Sequence, residues 1–124
     1  MDRLVHPALR AIVDSIAGIE ASVSGKPFDA FQSEWLLRHG VQRGLEIISE
    51  AARRIPVPLR ATQPHIPWDQ IIGIGNVLRH EYHRVSDKVV WNVVEVHLPP
   101  LKAAISLIVT ALNELPPPSA PSSG

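Results

Sequence analysis

Residues 73–85, GIGNVLRHEYHRV, hold most of the side chains in this sequence that could perform acid–base chemistry. If the segment is helical, residues three and four positions apart share a face. The residues on or beside that face are Asn76, Arg79, His80, Tyr82, His83 and Arg84. Histidine exchanges protons near neutral pH, and arginine can hold a phosphate or stabilise developing negative charge. The set would suit metal-free cleavage of an RNA phosphodiester, with a histidine taking the 2′-hydroxyl proton.

The same segment admits two other interpretations. Polar residues at the end of a helix are often simply solvated, and His or Arg there complements the negative end of the helix dipole by about 0.3–1 kcal/mol. His80, Glu81 and His83 could instead bind a metal ion, but histidines at i, i+3 without a second carboxylate form an incomplete ligand set. We therefore expect no metal or other cofactor. The remaining histidines are assigned to the surface or to helix caps: His6, His39, His65 and His97.

The composition limits the class of protein and its partners. The 124 residues fit one domain, and the absence of cysteine excludes disulfides, a thiolate nucleophile and a cysteine-based zinc site. Twelve basic residues balance twelve acidic ones, so any contact with RNA must be local. The start lacks the apolar core of a signal peptide, and no stretch approaches the ~20 apolar residues of a membrane span. We expect a soluble, cytoplasmic protein that does not contact a membrane.

Apolar residues recur at intervals of three and four, which predicts an all-α bundle of about five helices. The predicted helices cover about 9–23, 29–55, 68–83, 87–98 and 99–115, the second being the longest. Asp29, and Ser86 or Asp87, are the expected N-caps. Prolines should keep 56–67 a loop, and Pro99 and Pro100 fit the first turn of the last helix. The valines of the fourth helix could suggest a strand, but no second strand exists to pair with it.

Each predicted helix has a stripe of apolar residues that should face the core. The stripes are Leu9, Ile12, Val13, Ile16, Ile19 and Val23; Val41, Leu45, Ile48, Ala52 and Ile55; Trp68, Ile71, Ile72, Gly75, Leu78 and Tyr82; Val89, Val90, Val93, Val94 and Leu98; and Leu101, Ile105, Ile108, Leu112 and Leu115. The outer face of the second helix carries Arg43, Glu46, Glu50, Arg53 and Arg54, which predicts solvated ion pairs. Residues 1–115 should form the domain, and PPPSAPSSG at 116–124 is too poor in apolar residues to order.

Three segments, in order, resemble the HepT-like proteins of the HEPN superfamily. They are FQSEWLLRHGVQRGLEIISEAARRIP at 31–56, WDQIIGIGNVLRHEYHRV at 68–85 and VVWNVVEVHLPPLKAAI at 89–105. The first resembles the family's signature helix LEIIGEAARR, and the third its VW…LP.L helix pair. The resemblance covers roughly residues 5–115. It implies a helical bundle that forms a homodimer, in which two copies of the polar motif face a shared cleft.

The resemblance also implies a function. Many relatives are toxins of toxin–antitoxin pairs and act as metal-independent ribonucleases. Their antitoxin is a small nucleotidyltransferase, encoded beside them, that transfers AMP to the tyrosine of the motif. The motif reads Arg-Asn, three residues, His, one residue, Tyr, and its last three members correspond to Asn76, His80 and Tyr82. The resemblance thus makes His80 the acid–base residue, Asn76 an orienting residue and Tyr82 the AMP acceptor.

The chain departs from the motif at Gly75, which occupies the place of the arginine. Arg79 adjoins His80 and is turned ~100° away from it around a helix. Arg84 is better placed than Arg79, because it lies one turn beyond His80 on the same face, although either arginine could partly replace the missing one. Losing one group that stabilises transition-state charge typically costs about 10²- to 10³-fold in rate, so an uncompensated Gly75 predicts a weak nuclease or none. Alternatively, Gly73 and Gly75 could serve close helix packing at the dimer seam.

Three functional hypotheses follow. The first is a HepT-like toxin or toxin-derived ribonuclease whose partners are RNA and a nucleotidyltransferase antitoxin. The second is a non-catalytic dimeric partner of a nucleotidyltransferase-like subunit, with the polar motif as a docking or modification surface. The third is a small-molecule or nucleotide-binding bundle, although GIGNVL has neither a complete dinucleotide fingerprint nor a P-loop lysine.

Overall fold

The computed structural model describes residues 5–81 and 85–114, and the regular elements in these ranges are helical, which confirms the all-α class. They are α1 (Val5–Val23), α2 (Phe28–Ser33), α3 (Trp35–Arg53), α4 (Val57–Arg60), α5 (Trp68–Glu81), α6 (Asp87–Asn92), a π-helical segment (Val93–His97) and α7 (Leu98–Asn113). No strand occurs in the described ranges, so the helical interpretation of the valine-rich segment is correct. The predicted tail at 116–124 lies outside them.

Helix α3 is central to the bundle because it packs against α1, α2 and α5. Its predicted apolar stripe is confirmed: Val41, Leu45, Ile48 and Ala52 are all at most 2% exposed, as is Ile55 just beyond the helix. Helix α7 closes the core against α1. Helix α5, which carries most of the polar motif, is thus positioned chiefly by its contact with α3.

The other predicted stripes are also largely buried, with two exceptions. Val13 is 45% exposed and Val89 is 49% exposed. Val13 follows the fully buried Ile12, and Val89 precedes the fully buried Val90. Each exposed valine is turned about 100° away from its buried neighbour around the helix. Both therefore lie at the edge of the buried stripe. Tyr82 and Leu115 fall outside the described residues.

The predicted helix 29–55 is wrong in its bounds, because the helix is interrupted at Glu34 and divided into α2 and α3. That residue has an extended backbone (φ −90°, ψ 100°), and the first piece begins at Phe28 with Pro27 as its N-cap, so Asp29 lies in the first turn. The break frees α2 to pack against α6. There the ring centroids of Phe28 and Phe31 lie 6.2 and 5.0 Å from that of Trp91. This aromatic cluster is a long-range contact that the local spacing does not reveal.

The proline-rich segment 56–67 was predicted to be a loop, but it contains the short helix α4. Pro58 lies in the first turn of α4, where a missing N–H costs nothing. The segment is tied to the start of α5 by the indole N–H of Trp68, which donates to the carbonyl oxygens of Arg60 (3.0 Å) and Gln63 (3.1 Å). Trp68 therefore fixes the N-terminal end of the motif-bearing helix.

Residues 87–113 form one continuous helical run of 27 residues, so the longest helical run is not the predicted second helix. Ser86 is the N-cap, since its side chain accepts from Val89 N–H at 3.2 Å. Pro99 and Pro100 have no N–H groups, so two donors are missing from the backbone hydrogen bonds of the helix. The turn before them is a π-helix, in which Leu98 N–H donates to Val93 O.

The run 87–113 is long and apolar enough to cross a membrane by length and composition alone, contrary to the expectation from the sequence. A core helix of a soluble protein satisfies the same criterion. The residues of this run that lie in the core of the bundle are Val90, Val94, Leu98, Leu101, Ala104, Ile105 and Ile108. The apolar character of the run is therefore accounted for in part by packing within the chain.

Candidate active site on the fifth helix

Two of the predicted site residues, Asn76 and His80, lie on the outer face of α5. They are four positions apart and both are exposed, so their side chains project from one face one turn apart. Gly73, one turn before Asn76, is exposed as well. Helix α5 is described as far as Glu81. The imidazole of His80 is therefore accessible to a substrate in bulk solvent, as a general base must be.

Three motif residues, Tyr82, His83 and Arg84, lie outside the described ranges. The assignment of Tyr82 as an AMP acceptor and of Arg84 as a substitute arginine therefore stays a prediction. Within residues 5–81 and 85–114, no three histidine, aspartate or glutamate side chains cluster in a way that could hold a metal ion. His80 and Glu81 are among these residues.

Arg79 is exposed and lies between the face of Asn76 and His80 and the face of α5 that borders α3. It lines two adjoining cavities of about 310 and 330 Å³ between α3 and α5, and both cavities are also lined by Arg43 and Glu46. We call this surface the α3–α5 groove. Its other polar lining residues are His39, Gln42, Glu50 and Arg54. Two helices thus bring Arg79 beside Arg43 and Glu46, which lie 36 and 33 positions earlier in the sequence.

The carboxylates of the α3–α5 groove are already paired with an arginine of α3 and with the arginine that caps its C-terminus. Arg43 Nη1 lies 3.2 Å from Glu46 Oε1, and Arg54 Nη2 lies 3.8 Å from Glu50 Oε2, which confirms these two predicted pairs. In the part of the chain that the structure describes, Arg79 makes no ion pair. Its guanidinium therefore adds a positive charge to the groove that no described carboxylate within ion-pair distance offsets.

His39 and Gln42 were not identified as site residues from the sequence. His39 is half-buried; its ring centroid lies 4.2 Å from that of Trp35, and its Nδ1 is 2.9 Å from the Trp35 carbonyl oxygen. Positions 39, 42, 43 and 46 are three or four apart, so the sequence already indicated that these residues share one face of a helix. What the spacing could not show is that this face of α3 borders α5.

Gly75 is buried against Ser49 of α3. Its N–H donates to Ser49 Oγ at 3.1 Å, and a Cβ built on Gly75 would lie 2.5 Å from Ser49 Cβ. The close-packing interpretation of Gly75 is therefore supported, but the crossing helix belongs to the same chain. Gly73 takes no part in this contact, because nothing lies within 4 Å of a Cβ built there.

The position of Arg79 relative to Gly75 changes the comparison between the candidate arginines. Positions 75 and 79 are four apart and share the face that borders α3. Positions 75 and 80 are five apart, so an arginine at 75 would itself be turned about 140° from His80. The ~100° between Arg79 and His80 is therefore no argument against Arg79 as a replacement.

The bundle also contains an apolar cavity of about 150 Å³ beside the π-helical segment. It is lined mainly by aliphatic residues of α3, α5 and α7, with Gln70 and His97 as its polar members. Ligand pockets usually measure roughly 300–1,000 Å³. This cavity is therefore smaller than a typical ligand pocket, whereas the two cavities of the α3–α5 groove fall at the lower end of that range.

Comparison with known proteins identifies the family of the chain. Residues 12–108 match the model of a family described as "Ribonuclease HepT-like". "Putative RNase MJ1380" of Methanocaldococcus jannaschii is 31% identical over 106 residues, 86% of this chain and 97% of the relative. "Probable ribonuclease HepT" of Thermococcus cleftensis is 33% identical over 102 residues, 82% of this chain and 93% of the relative. No solved structure matches the chain significantly.

Proposed function

Because the chain belongs to the ribonuclease HepT-like family, we propose that it is a HepT-like toxin or toxin-derived, metal-independent endoribonuclease that acts in the cytoplasm. The observation that carries the proposal is the exposed pair Asn76 and His80 on α5, beside an arginine, Arg79, without a described ion-pair partner. These three groups supply a proton acceptor, an orienting amide and a positive charge. Together they match the needs of phosphodiester cleavage.

In the proposed reaction His80 takes the proton from an RNA 2′-hydroxyl. The 2′-oxygen forms a bond to the adjacent phosphorus, the bond from phosphorus to the 5′-oxygen breaks, and the leaving oxygen takes a proton from solvent. Asn76 orients the site by hydrogen bonding, since it lies one turn from His80 on the same face. A guanidinium from Arg79 or Arg84 stabilises the negative charge that develops on the phosphate oxygens.

Control by a partner enzyme is the second part of the proposal. We place the chain in a homodimer whose two polar motifs face one cleft, with a nucleotidyltransferase antitoxin that transfers AMP to Tyr82. The phenolic oxygen would attack the α-phosphorus of ATP, forming the phosphodiester and releasing pyrophosphate, while the phenolic proton passes to solvent. A bulky anion two residues from His80 would then block the site. Intact mass after co-expression tests this: increments of AMP that disappear in Tyr82→Phe support it, and their absence beside a bound partner contradicts it.

Cleavage of RNA by the purified protein tests the nuclease. His80→Ala should abolish cleavage, and a chelator should leave the wild-type rate unchanged. His65→Ala is a matched control, because His65 is also exposed but lies in the proline-rich segment before α5, and it should cleave like wild type. Equal cleavage by His80→Ala and wild type would remove His80 from the mechanism.

One observation favours the alternative of a non-catalytic dimeric partner of a nucleotidyltransferase-like subunit. The place of the motif arginine is taken by Gly75, which is buried in a tight helix contact and offers no functional group. In that case wild type would cleave no RNA but would co-purify with the subunit. Substitutions of exposed motif residues, such as Asn76→Ala, should then weaken the complex with that subunit.

A further inference from the structure

The contact between Ser49 and Gly75 fixes how α5 lies on α3. Ser49 is 1% exposed, and its hydroxyl donates to the Ile72 carbonyl oxygen at 2.5 Å while accepting from Gly75 N–H at 3.1 Å. One side chain of α3 thus bridges two backbone groups of α5 that lie three residues apart. A bridge of this kind sets both the distance between the helices and the rotation of α5 about its axis.

The same contact leaves no room for a side chain at position 75 unless the two helices shift. A Cβ there would lie 2.5 Å from Ser49 Cβ, below the 3.0 Å that real Cβ contacts essentially never go under. Both Cβ positions are set by backbone, so no change of rotamer relieves the overlap. Replacing Ser49 with glycine would remove the two atoms that cause the overlap, Cβ and Oγ. A Cβ at position 75 therefore meets no close Ser49 atom when position 49 is glycine, but overlaps serine there.

The two positions at which this chain departs from the patterns it resembles are in contact with each other. The signature helix LEIIGEAARR has glycine where this chain has Ser49, and the motif has arginine where it has Gly75. One turn beyond Gly75 on the same face lies Arg79, which lines the α3–α5 groove without a described ion-pair partner. Ser49 thus contacts the position where the motif has its arginine, and the next position on that face of α5 carries Arg79.

We propose that Ser49 is a positioning residue that decides which turn of α5 supplies the arginine. With serine at 49, position 75 must be glycine, the hydroxyl fixes α5, and Arg79 provides the guanidinium. With glycine at 49, position 75 can carry the arginine and Arg79 becomes dispensable. The role of Arg79 in cleavage rests on the proposed function, whereas the incompatibility of Ser49 with a side chain at 75 does not.

Melting temperatures test the packing half of the proposal. Gly75→Arg should melt roughly 5–15 °C below wild type, because it overpacks a buried contact. Gly73→Arg is the matched control, two residues earlier on α5 with open space around it, and should melt within about 3 °C of wild type. The double variant Ser49→Gly/Gly75→Arg should recover at least half of the decrease in melting temperature that Gly75→Arg causes. If Gly75→Arg does not fold, Gly75→Ala with and without Ser49→Gly provides the same comparison.

Rates of RNA cleavage test the functional half. In the wild-type background, Arg79→Ala should lower the cleavage rate about 10²- to 10³-fold. In the Ser49→Gly/Gly75→Arg background, the same substitution should lower the rate less than about 10-fold. Arg79→Lys in wild type should recover part of the loss, and the effect should fall on kcat more than on KM, since the charge acts in the transition state.

Equal losses from Arg79→Ala in both backgrounds would overturn the functional half. A Gly75→Arg variant as stable as Gly73→Arg, or unaffected by Ser49→Gly, would overturn the packing half. Absence of cleavage in every variant would defeat the proposed function together with the role of Arg79, while the melting temperatures would still decide the claim about Ser49 and Gly75.

Discussion

The two faces of α5 obey different constraints although they belong to one helix. The inner face, with Trp68, Gly75 and Leu78, is buried against the rest of the bundle, and a Cβ at position 75 would overlap Ser49. The outer face, with Gly73, Asn76 and His80, is exposed. Substitutions on the inner face should therefore change the free energy of unfolding, whereas those on the outer face should change chemistry. The residues proposed for proton transfer lie on the face that folding leaves unconstrained.

Truncation of Leu78 should have the largest effect on stability. Leu78 is 2% exposed, and Leu78→Ala removes buried methyl groups and leaves a cavity, which costs about 2–5 kcal/mol of unfolding free energy. Its neighbour Val77 is 36% exposed, so Val77→Ala should cost less than about 1 kcal/mol. Urea denaturation measures both. Similar losses for the two variants would mean that the inner face is not the packed one.

Alanine at the two glycines of α5 should change stability in opposite directions. Gly75→Ala forces a Cβ into Ser49 and should lower the unfolding free energy by about 1–3 kcal/mol. Gly73→Ala meets open space and should raise it by up to about 1 kcal/mol, because alanine is the better helix former. Urea denaturation of the two single variants gives the signs. A stabilising Gly75→Ala would contradict the tight contact with Ser49.

Substitutions of the exposed polar residues should have the smallest effect on stability. Asn76→Ala and His80→Ala should each change the unfolding free energy by no more than about 0.5 kcal/mol, since both side chains are exposed. A loss above about 1 kcal/mol in either variant would show that the outer face also takes part in packing, and would complicate any loss of cleavage by His80→Ala. Thermal and urea denaturation on the samples used for cleavage assays supply the comparison.

Much of the fold could be predicted because helical periodicity is a local property. The all-α class, the α3 stripe from Val41 to Ile55, the Ser86 cap and the start of α5 at Trp68 all follow from residues within a few positions of one another. The failures have non-local causes. The break at Glu34 accompanies an aromatic contact with Trp91, and the π register before α7 reflects two prolines acting on carbonyls one turn earlier.

The candidate site divides in the same way. The sequence alone determined that Asn76 and His80 share a helix face and that Gly75 replaces the arginine of the motif it resembles. Only the tertiary structure decided that Gly75 lies against Ser49, 26 positions away, and that Arg79 borders His39, Arg43 and Glu46 of α3. The physical reason is that periodicity fixes which residues of one helix share a face, but the partner of that face depends on how two helices pack.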